Sequence, residues 1–399
     1  MNSLIDIKIT YRKERFSMKE KKIRVGIIFG GKSGEHEVSY CSAVSIIEAI
    51  DKEKYEIVPI GITKKGKWIS PEESTLALDS GKIEGKSTMV LLNDFSTKSL
   101  VKIKCNSNKN RNKSFIKSDI DVIFPVLHGP FGEDGTIQGM LELADIPYVG
   151  AGVAASAISM DKELMKTIFK QKGLPVLDWV SIKRKDWYNQ TDTLLDMINE
   201  KITYPLFVKP TNLGSSVGIT KVHKKDELKE AIDLAASYDR KILIEKGIED
   251  AREIECSILG NDEPQASVIG EVIPAGEFYD YQSKYLDERT RLAIPAQLPK
   301  KLSEEIQRIA IQAFNAVDAA GMARVDFLIS KKTEKIYLNE INTIPGFTKV
   351  SMYPRLWEAS GLTYPDLIDK LIQLALERYH DKNQNTISYD SKLIDKNKN

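Results

Sequence analysis

Two apolar runs late in the chain hold the residue types best suited to chemistry. Arg324-Val-Asp-Phe-Leu-Ile-Ser and Lys335-Ile-Tyr-Leu-Asn-Glu-Ile-Asn flank the polar segment Lys331-Lys-Thr-Glu, the pattern of a β-hairpin. With the turn centred near Thr333, Leu328 falls opposite Leu338 and Asp326 opposite Glu340. Strand side chains alternate between faces, so Glu340 and Asn342 share a face with Asp326, and Arg324 projects from it too. Two facing carboxylates repel unless a cation or a proton lies between them. Hard oxygen ligands favour magnesium, which takes one or two carboxylates together with substrate phosphates. Asp326, Glu340 and Asn342 are therefore candidate metal ligands, and Arg324 can reach developing negative charge. Taken alone, the hairpin also fits a solvated sheet face with scattered polar residues.

A second group of residues suits phosphate. Lys209 ends the apolar run Pro205–Val208 and precedes Pro210, where its ammonium can act on a phosphate as a point charge. The run Leu243-Ile244-Glu245-Lys246 offers a strand edge where backbone and Glu245 could hydrogen-bond an adenine amino group. Each lysine alone fits an ordinary surface charge; their order before a Gly/Ser loop and an acidic hairpin argues otherwise. Gly214-Ser215-Ser216-Val217-Gly218 matches the GxSxG nucleophile elbow, but that motif needs a strand running in and a helix running out. Pro210-Thr211-Asn212 interrupts the approach and Ile219–Val222 reads as extended. A loop of small residues closing its backbone amides over a polyphosphate fits better. Gly26–Ser33 completes a P-loop pattern, yet its Ile, Ile and Phe read as strand interior rather than as a phosphate-binding loop.

The elements around these residues follow from periodicity. A strand over 23–29, a glycine turn and a helix over 37–50 open an α/β domain, continued by strands over 56–62 and 121–127. Residues 106–114 (NSNKNRNKS) read as a flexible low-complexity insertion. From about 145 the pattern becomes α+β, with strands over 206–209, 241–245, 253–259, 324–329 and 335–341. A last helix has Thr363 as N-cap, Pro365 in its first turn, Asp366 completing a capping box and Leu367, Leu371 and Leu374 on its buried face. Residues 1–21 read as a disordered lead-in within which Met18 could be the native start, and the chain after His380 as a disordered tail. There is no internal repeat.

Composition narrows the function classes. A chain of 399 residues, 42% hydrophobic, can fill two or three domains. Its 58 basic and 57 acidic side chains leave no basic stripe, which speaks against nucleic acid or a membrane surface as partner. No apolar run reaches the roughly 18 residues of a membrane span, and no signal-peptide core is present. Cys41, Cys105 and Cys256 are widely spaced, which fits a reducing cytoplasm and no disulfide framework. His36 and His223 read as surface residues, although His36 adjoins Glu35.

Taken together, the segments GGKSGEHEVS (30–39), LHGPFGEDGTIQG (127–139), SMDK (159–162), VKPTNLGSSVG (208–218), LIEKGI (243–248), FYDYQSKY (278–285), ARVDF (323–327) and NEINTIPG (339–346) resemble the D-alanine–D-alanine ligase family of ATP-grasp enzymes. The resemblance runs from about Lys22 to Tyr379. It implies an ATP-grasp fold behind a Rossmann-like open α/β domain: a substrate-binding domain over 22–147, a central ATP-grasp subdomain over 148–238, a C-terminal one with the metal site over 239–380, and a tail over 381–399. It implies ATP as substrate, with Lys162 and Lys209 on phosphates, Gly214 and Ser216 in the loop over them, and Phe278 packed near the nucleotide. Glu245, Lys246 and Glu253 would hold adenine and ribose. Asp326, Glu340 and Asn342 would ligate a pair of magnesium or manganese ions. Glu35 and His128 would position the first D-alanine; Lys284, Ser351 and Met352 would hold the carboxylate of the second. A homodimer is the family expectation.

The implied reaction passes the γ-phosphoryl of ATP to the first D-alanine, and the amine of the second attacks the acyl phosphate. Arg324 and the Gly346 N–H would stabilise the oxyanion, at about 3–4 kcal/mol per good donor. Phe278–Tyr285 would be the lid that excludes water, locked by a triad of Tyr285, Ser215 and Glu35. FYDYQSKY resembles the dipeptide-forming version of this lid, which favours D-alanine over D-serine or D-lactate as second substrate. Another ATP-grasp carboxylate–amine ligase is disfavoured by the first two segments. A non-catalytic nucleotide-binding protein would be expected to lack Arg324 or a metal ligand.

Overall fold

The computed structural model describes residues 21–91, 99–103, 116–274 and 290–386. The chain opens with β1 (Ile23–Gly30), α1 (His36–Ala49), β2 (Tyr55–Ile62) and α2 (Pro71–Ser80). Three short strands follow, β3 (Thr88–Leu91), β4 (Ser99–Ile103) and β5 (Ile116–Asp119), then β6 (Val122–Val126) and α3 (Thr136–Leu143). β1 lies between β2 and β6 and is parallel to both. A strand so enclosed must be apolar on both faces, which accounts for the Ile-Ile-Phe that mimics a P-loop. The antiparallel sheet β3–β4–β5 was not anticipated from sequence. Its strands have only four or five residues, too few for alternation to stand out. The insertion at 106–114 lies outside the described residues.

Next come α4 (Val153–Met160), α5 (Lys162–Gln171), β7 (Trp179–Lys183), α6 (Arg184–Asn189), α7 (Thr191–Lys201), β8 (Leu206–Pro210), β9 (Thr220–Val222), α8 (Lys225–Tyr238) and β10 (Lys241–Lys246). Their strands form an antiparallel sheet in the order β7–β10–β8–β9. β10 is thus an interior strand, which corrects its reading as an edge open to adenine: its backbone pairs with strands on both sides. The stretch from Gly214 to Gly218 contains no helix and leads into β9, as expected for a loop that is not a nucleophile elbow.

The remainder is β11 (Ala251–Gly260), β12 (Gln265–Ile273), β13 (Arg291–Ala293), α9 (Lys300–Ala316), β14 (Gly321–Ser330), β15 (Ile336–Asn342), α10 (Met352–Ala359) and α11 (Tyr364–Lys382). A third antiparallel sheet runs β13–β12–β11–β14–β15. The hairpin β14–β15 has the expected pair Asp326–Glu340, with Arg324 facing Asn342, but beyond Asp326 the register shifts and Leu328 faces Tyr337, not Leu338. A bulge at Asn339 supplies the extra residue, the kind of local kink that re-aims side chains beside functional sites.

α11 packs on the sheet that precedes it, in one core with Leu259 of β11 and Met322 of β14, and also reaches the first domain. Leu367, Leu371 and Leu374 share one apolar core with Val25, Ile27 and Phe29 of β1 and with Ala43 and Ile46 of α1. Thr363 accepts from the Asp366 N–H, yet the Asp366 carboxylate takes the Thr363 hydroxyl at 2.5 Å, so only one arm of the expected capping box forms. The helix runs past His380 to Lys382. Leu371, with no exposed surface, sits at the middle of this seam. Leu371→Ala is expected to lower unfolding free energy by about 2–5 kcal/mol, measured by denaturant titration; a change below about 0.5 kcal/mol would show that the helix does not share that core.

Candidate active site

The acidic hairpin gains a third member in the folded chain. β14 pairs Asp326 with Glu340 on β15 and with Glu255 on β11, so three carboxylates lie in one cross-strand row. Arg324 grips Asp326 with Nε and Nη2, both at 2.7 Å, and its Nε also lies 3.0 Å from Glu255 Oε2. Asn342 Nδ2 donates to Asp326 Oδ2 at 3.0 Å. Burial opposes the charge on Arg324, but Asp326, Glu255 and Glu340 outweigh it and raise its pKa. One guanidinium among three acids leaves a net negative, oxygen-rich patch, which fits a hard divalent cation completed by phosphate oxygens. No group of three or more His, Cys, Asp or Glu arranged for a metal occurs among the described residues, so the fit is to two carboxylates and an amide. Glu255 was missed by sequence reasoning. Its alternation with Glu253 along β11 was the available signal.

Beside this row stand the lysines. α5 begins at Lys162, capped by Asp161, which accepts from the N–H groups of Glu163 and Leu164. Lys162 Nζ donates to the Leu213 carbonyl at 2.8 Å and so ties α5 to the Gly/Ser loop. Ser215 and Ser216 in that loop have φ of 50° and 57°, a left-handed conformation that non-glycine residues adopt sparingly and that clusters at functional sites. Lys209 Nζ donates to Glu245 Oε2 at 2.6 Å, and Lys166 pairs with Glu245 Oε1. Both Glu245 oxygens thus bond lysines, and the side chain lines the cleft in which the adenine contact was expected. Lys166, spaced one helical turn from Lys162, was not singled out from the sequence.

The far end of the cleft joins pieces distant in the chain. Glu35 accepts a hydrogen bond from Ser215 Oγ, which brings together two of the three residues expected to lock a lid. Gly129 has φ 72°, a backbone conformation that strains any side chain, and a Cβ there would meet the Glu35 carboxylate at 2.7 Å and push it aside. His128 Nδ1 lies 3.0 Å from the Ile344 carbonyl and Nε2 3.4 Å from Ser42 Oγ. Burial pulls its pKa down, so a neutral ring donating from Nδ1 fits both partners. Glu133 accepts from the N–H groups of Gly129 at 2.8 Å and Ile344 at 3.1 Å. Ser351, at the N-cap of α10, accepts from Thr348 N–H at 3.0 Å. His36 is buried with Nδ1 2.8 Å from the Gly31 carbonyl, which corrects its surface reading; His223 is exposed.

Glu35, His128, Lys162, Lys209, Gly214, Ser215, Ser216, Glu245, Lys246, Glu253, Arg324, Asp326, Glu340, Asn342, Gly346, Ser351 and Met352 all line one cleft of about 1080 Å³. Phe278, Lys284 and Tyr285, and with them the lid, lie outside the described residues. A family model described as D-ala D-ala ligase N-terminus matches residues 24–151, and one described as D-ala D-ala ligase C-terminus matches 168–373. The chain belongs to the D-alanine–D-alanine ligase family. Its fold is ATP-grasp and it is a ligase.

Relatives and solved structures agree. It is 50% identical over 376 residues to the D-alanine–D-alanine ligase of Acetivibrio thermocellus, covering 91% of this chain and 98% of that one. To that of Thermoanaerobacter pseudethanolicus it is 54% identical over 367 residues, covering 91% and 99%. The crystal structure of the VanG D-Ala:D-Ser ligase from Enterococcus faecalis superposes with TM-score 0.77 at 35% identity, over 89% of this chain and 100% of that one. The D-alanine–D-alanine ligase structure from Coxiella burnetii superposes with TM-score 0.76 at 36% identity, over 91% and 96%.

Glu133 generates a pH prediction. Burial and the neighbouring Glu35 push its carboxyl up to about 8, against the pull of two backbone donors. The folded state thus retains a proton that the unfolded chain releases from about pH 4.5. That contribution to stability is complete below the unfolded pKa and disappears as pH rises to about 8. Over this window Glu133→Gln is expected to flatten the dependence of melting temperature on pH; parallel curves for the two proteins would contradict the assignment.

Proposed function

We propose that this enzyme joins two D-alanine molecules into D-alanyl-D-alanine with ATP, by way of an acyl phosphate, as a step in supplying peptidoglycan precursor. The observation that carries the reading is the convergence, in one cleft, of an acidic row with Arg324, two phosphate-competent lysines and a Glu35–His128 pocket. The names of curated relatives at about 50% identity support it. Their agreement on D-alanine, at higher identity than the D-Ala:D-Ser structure, disfavours D-serine or D-lactate as second substrate.

Each group has a task set by its chemistry. Lys209 and Lys162 attract the triphosphate, and the Gly/Ser loop closes over it with backbone N–H groups. Glu35, an acceptor beside neutral His128, suits the ammonium of the first D-alanine. Asp326, Glu340 and Asn342 would hold magnesium or manganese, whose charge offsets the repulsion between phosphate oxygens and the attacking carboxylate. Arg324, its orientation fixed by Asp326 and Glu255, faces the tetrahedral oxyanion together with the Gly346 N–H. Ser351 and Met352 line the end of the cleft suited to the second D-alanine. Lys246 and Glu253 line the part suited to adenine and ribose.

No helix among the described residues is long and apolar enough to cross a membrane. Cytoplasmic location and a homodimer complete the proposal. The decisive assay incubates the protein with ATP, magnesium and D-alanine, alone or paired with D-serine or D-lactate, and weighs the products. D-alanyl-D-alanine is expected to dominate; a depsipeptide or mixed dipeptide as main product would overturn the substrate reading. Glu340→Gln is expected to reduce phosphate release by roughly a hundred- to a thousandfold while the melting curve stays that of a folded protein. Unchanged release would refute the metal assignment.

A further inference from the structure

Lys166 is a buried cation that the proposed reaction does not use. It lies on α5 four residues after Lys162, on the same helical face, and is 1% exposed. Lysine is almost never so buried unless paired. Its partner is Glu245 Oε1, while Glu245 Oε2 holds Lys209 at 2.6 Å. The side chains of Glu245 and Lys209 are 2% and 10% exposed. Three charges, positive, negative and positive, therefore stand in a row in a poorly screened region. Of the three, Glu245 and Lys209 line the cleft and Lys166 does not.

The charge count is what matters. A Lys209–Glu245 pair alone is neutral, and its carboxylate would repel any anion that its ammonium attracts. Burial would raise the Glu245 pKa, but Lys166 and Lys209 outweigh it and keep the carboxylate ionised. Burial pulls the Lys166 pKa down, while its contact with Glu245 and the nearby Glu340 favour the ammonium. With Lys166 charged behind Glu245, the three groups carry one net positive charge, and the cation that lines the cleft is Lys209. Stability gives no reason for the arrangement, since apolar replacement of buried ionic groups is often neutral or stabilising.

We propose that Lys166 is a positioning residue for the nucleotide: by neutralising Glu245 from behind, it leaves the Lys209 ammonium free to act on the polyphosphate with its full charge. This rests on the ATP-dependent reading above. ADP with magnesium is titrated into the protein without D-alanine, and KM for ATP and for D-alanine are measured in turnover. Lys166→Met is expected to weaken ADP and raise KM for ATP roughly tenfold, the equivalent of about 1.4 kcal/mol, with KM for D-alanine unmoved and a lower melting temperature, because buried Glu245 loses one of its two partners. The double variant Lys166→Met/Glu245→Gln, in which the net charge of the row is restored, is expected to recover most of the lost affinity.

Unchanged ADP affinity in Lys166→Met would overturn the proposal, and so would a folded double variant as weak as the single one. Should the single variant not fold, the double variant decides: ADP affinity near that of the parent supports the charge argument, and a loss of tenfold or more refutes it. A parent protein that binds ADP but makes no D-alanyl-D-alanine would count against the proposed reaction and leave this inference standing.

Discussion

Glu255, Asp326 and Glu340 lie side by side on three neighbouring strands, where their charges repel through a medium that screens them poorly. Arg324 relieves part of that repulsion, and the remainder is what a divalent cation with phosphate oxygens would satisfy. The surrounding structure makes sense as support for this imbalance. Two sheet partners hold β14 rigidly in register, the bulge at Asn339 re-aims the hairpin beside Glu340, and both carboxylates hold the guanidinium in one orientation. A flexible loop bearing the same residues would let the acids separate and dissipate the field.

The lysines beside this row obey the same arithmetic with the signs reversed. Lys166, Glu245 and Lys209 form a buried row with a surplus of positive charge, about which β10 and β8 pair as interior strands. The two clusters line one cleft and suit a ligand that is itself a chain of anions bridged by cations. The Gly/Ser loop lines the same cleft, anchored by Lys162 through the Leu213 carbonyl and by Ser215 on Glu35. Its left-handed serines carry the backbone strain of the site.

A third constraint is the seam between the first and last parts of the chain. His128 and Glu133 come from the segment after β6, yet both bond the backbone of Ile344, and Ser42 accepts from the Phe347 N–H at 3.3 Å. These polar contacts register the amino-acid end of the cleft against the acidic row. The apolar face of α11, returning to β1 and α1, holds the two parts together from behind.

Local pattern determined much of this protein. The strands β1, β2, β8, β10, β11, β14 and β15, the helix α1 and the Asp326–Glu340 pair follow from periodicity and a turn of polar residues, because those signals act within a few residues of one another. The resemblance of ordered motifs carried the family. Tertiary structure alone decided that Glu255 joins the acidic row, that β10 is interior, that Glu245 serves two lysines, that His36 is buried and that α11 completes the N-terminal core. It alone revealed the small sheet β3–β4–β5 as well. The reason is physical: a side chain's partner across a sheet or a domain seam is set by packing between segments tens to hundreds of residues apart, and no local period encodes that pairing.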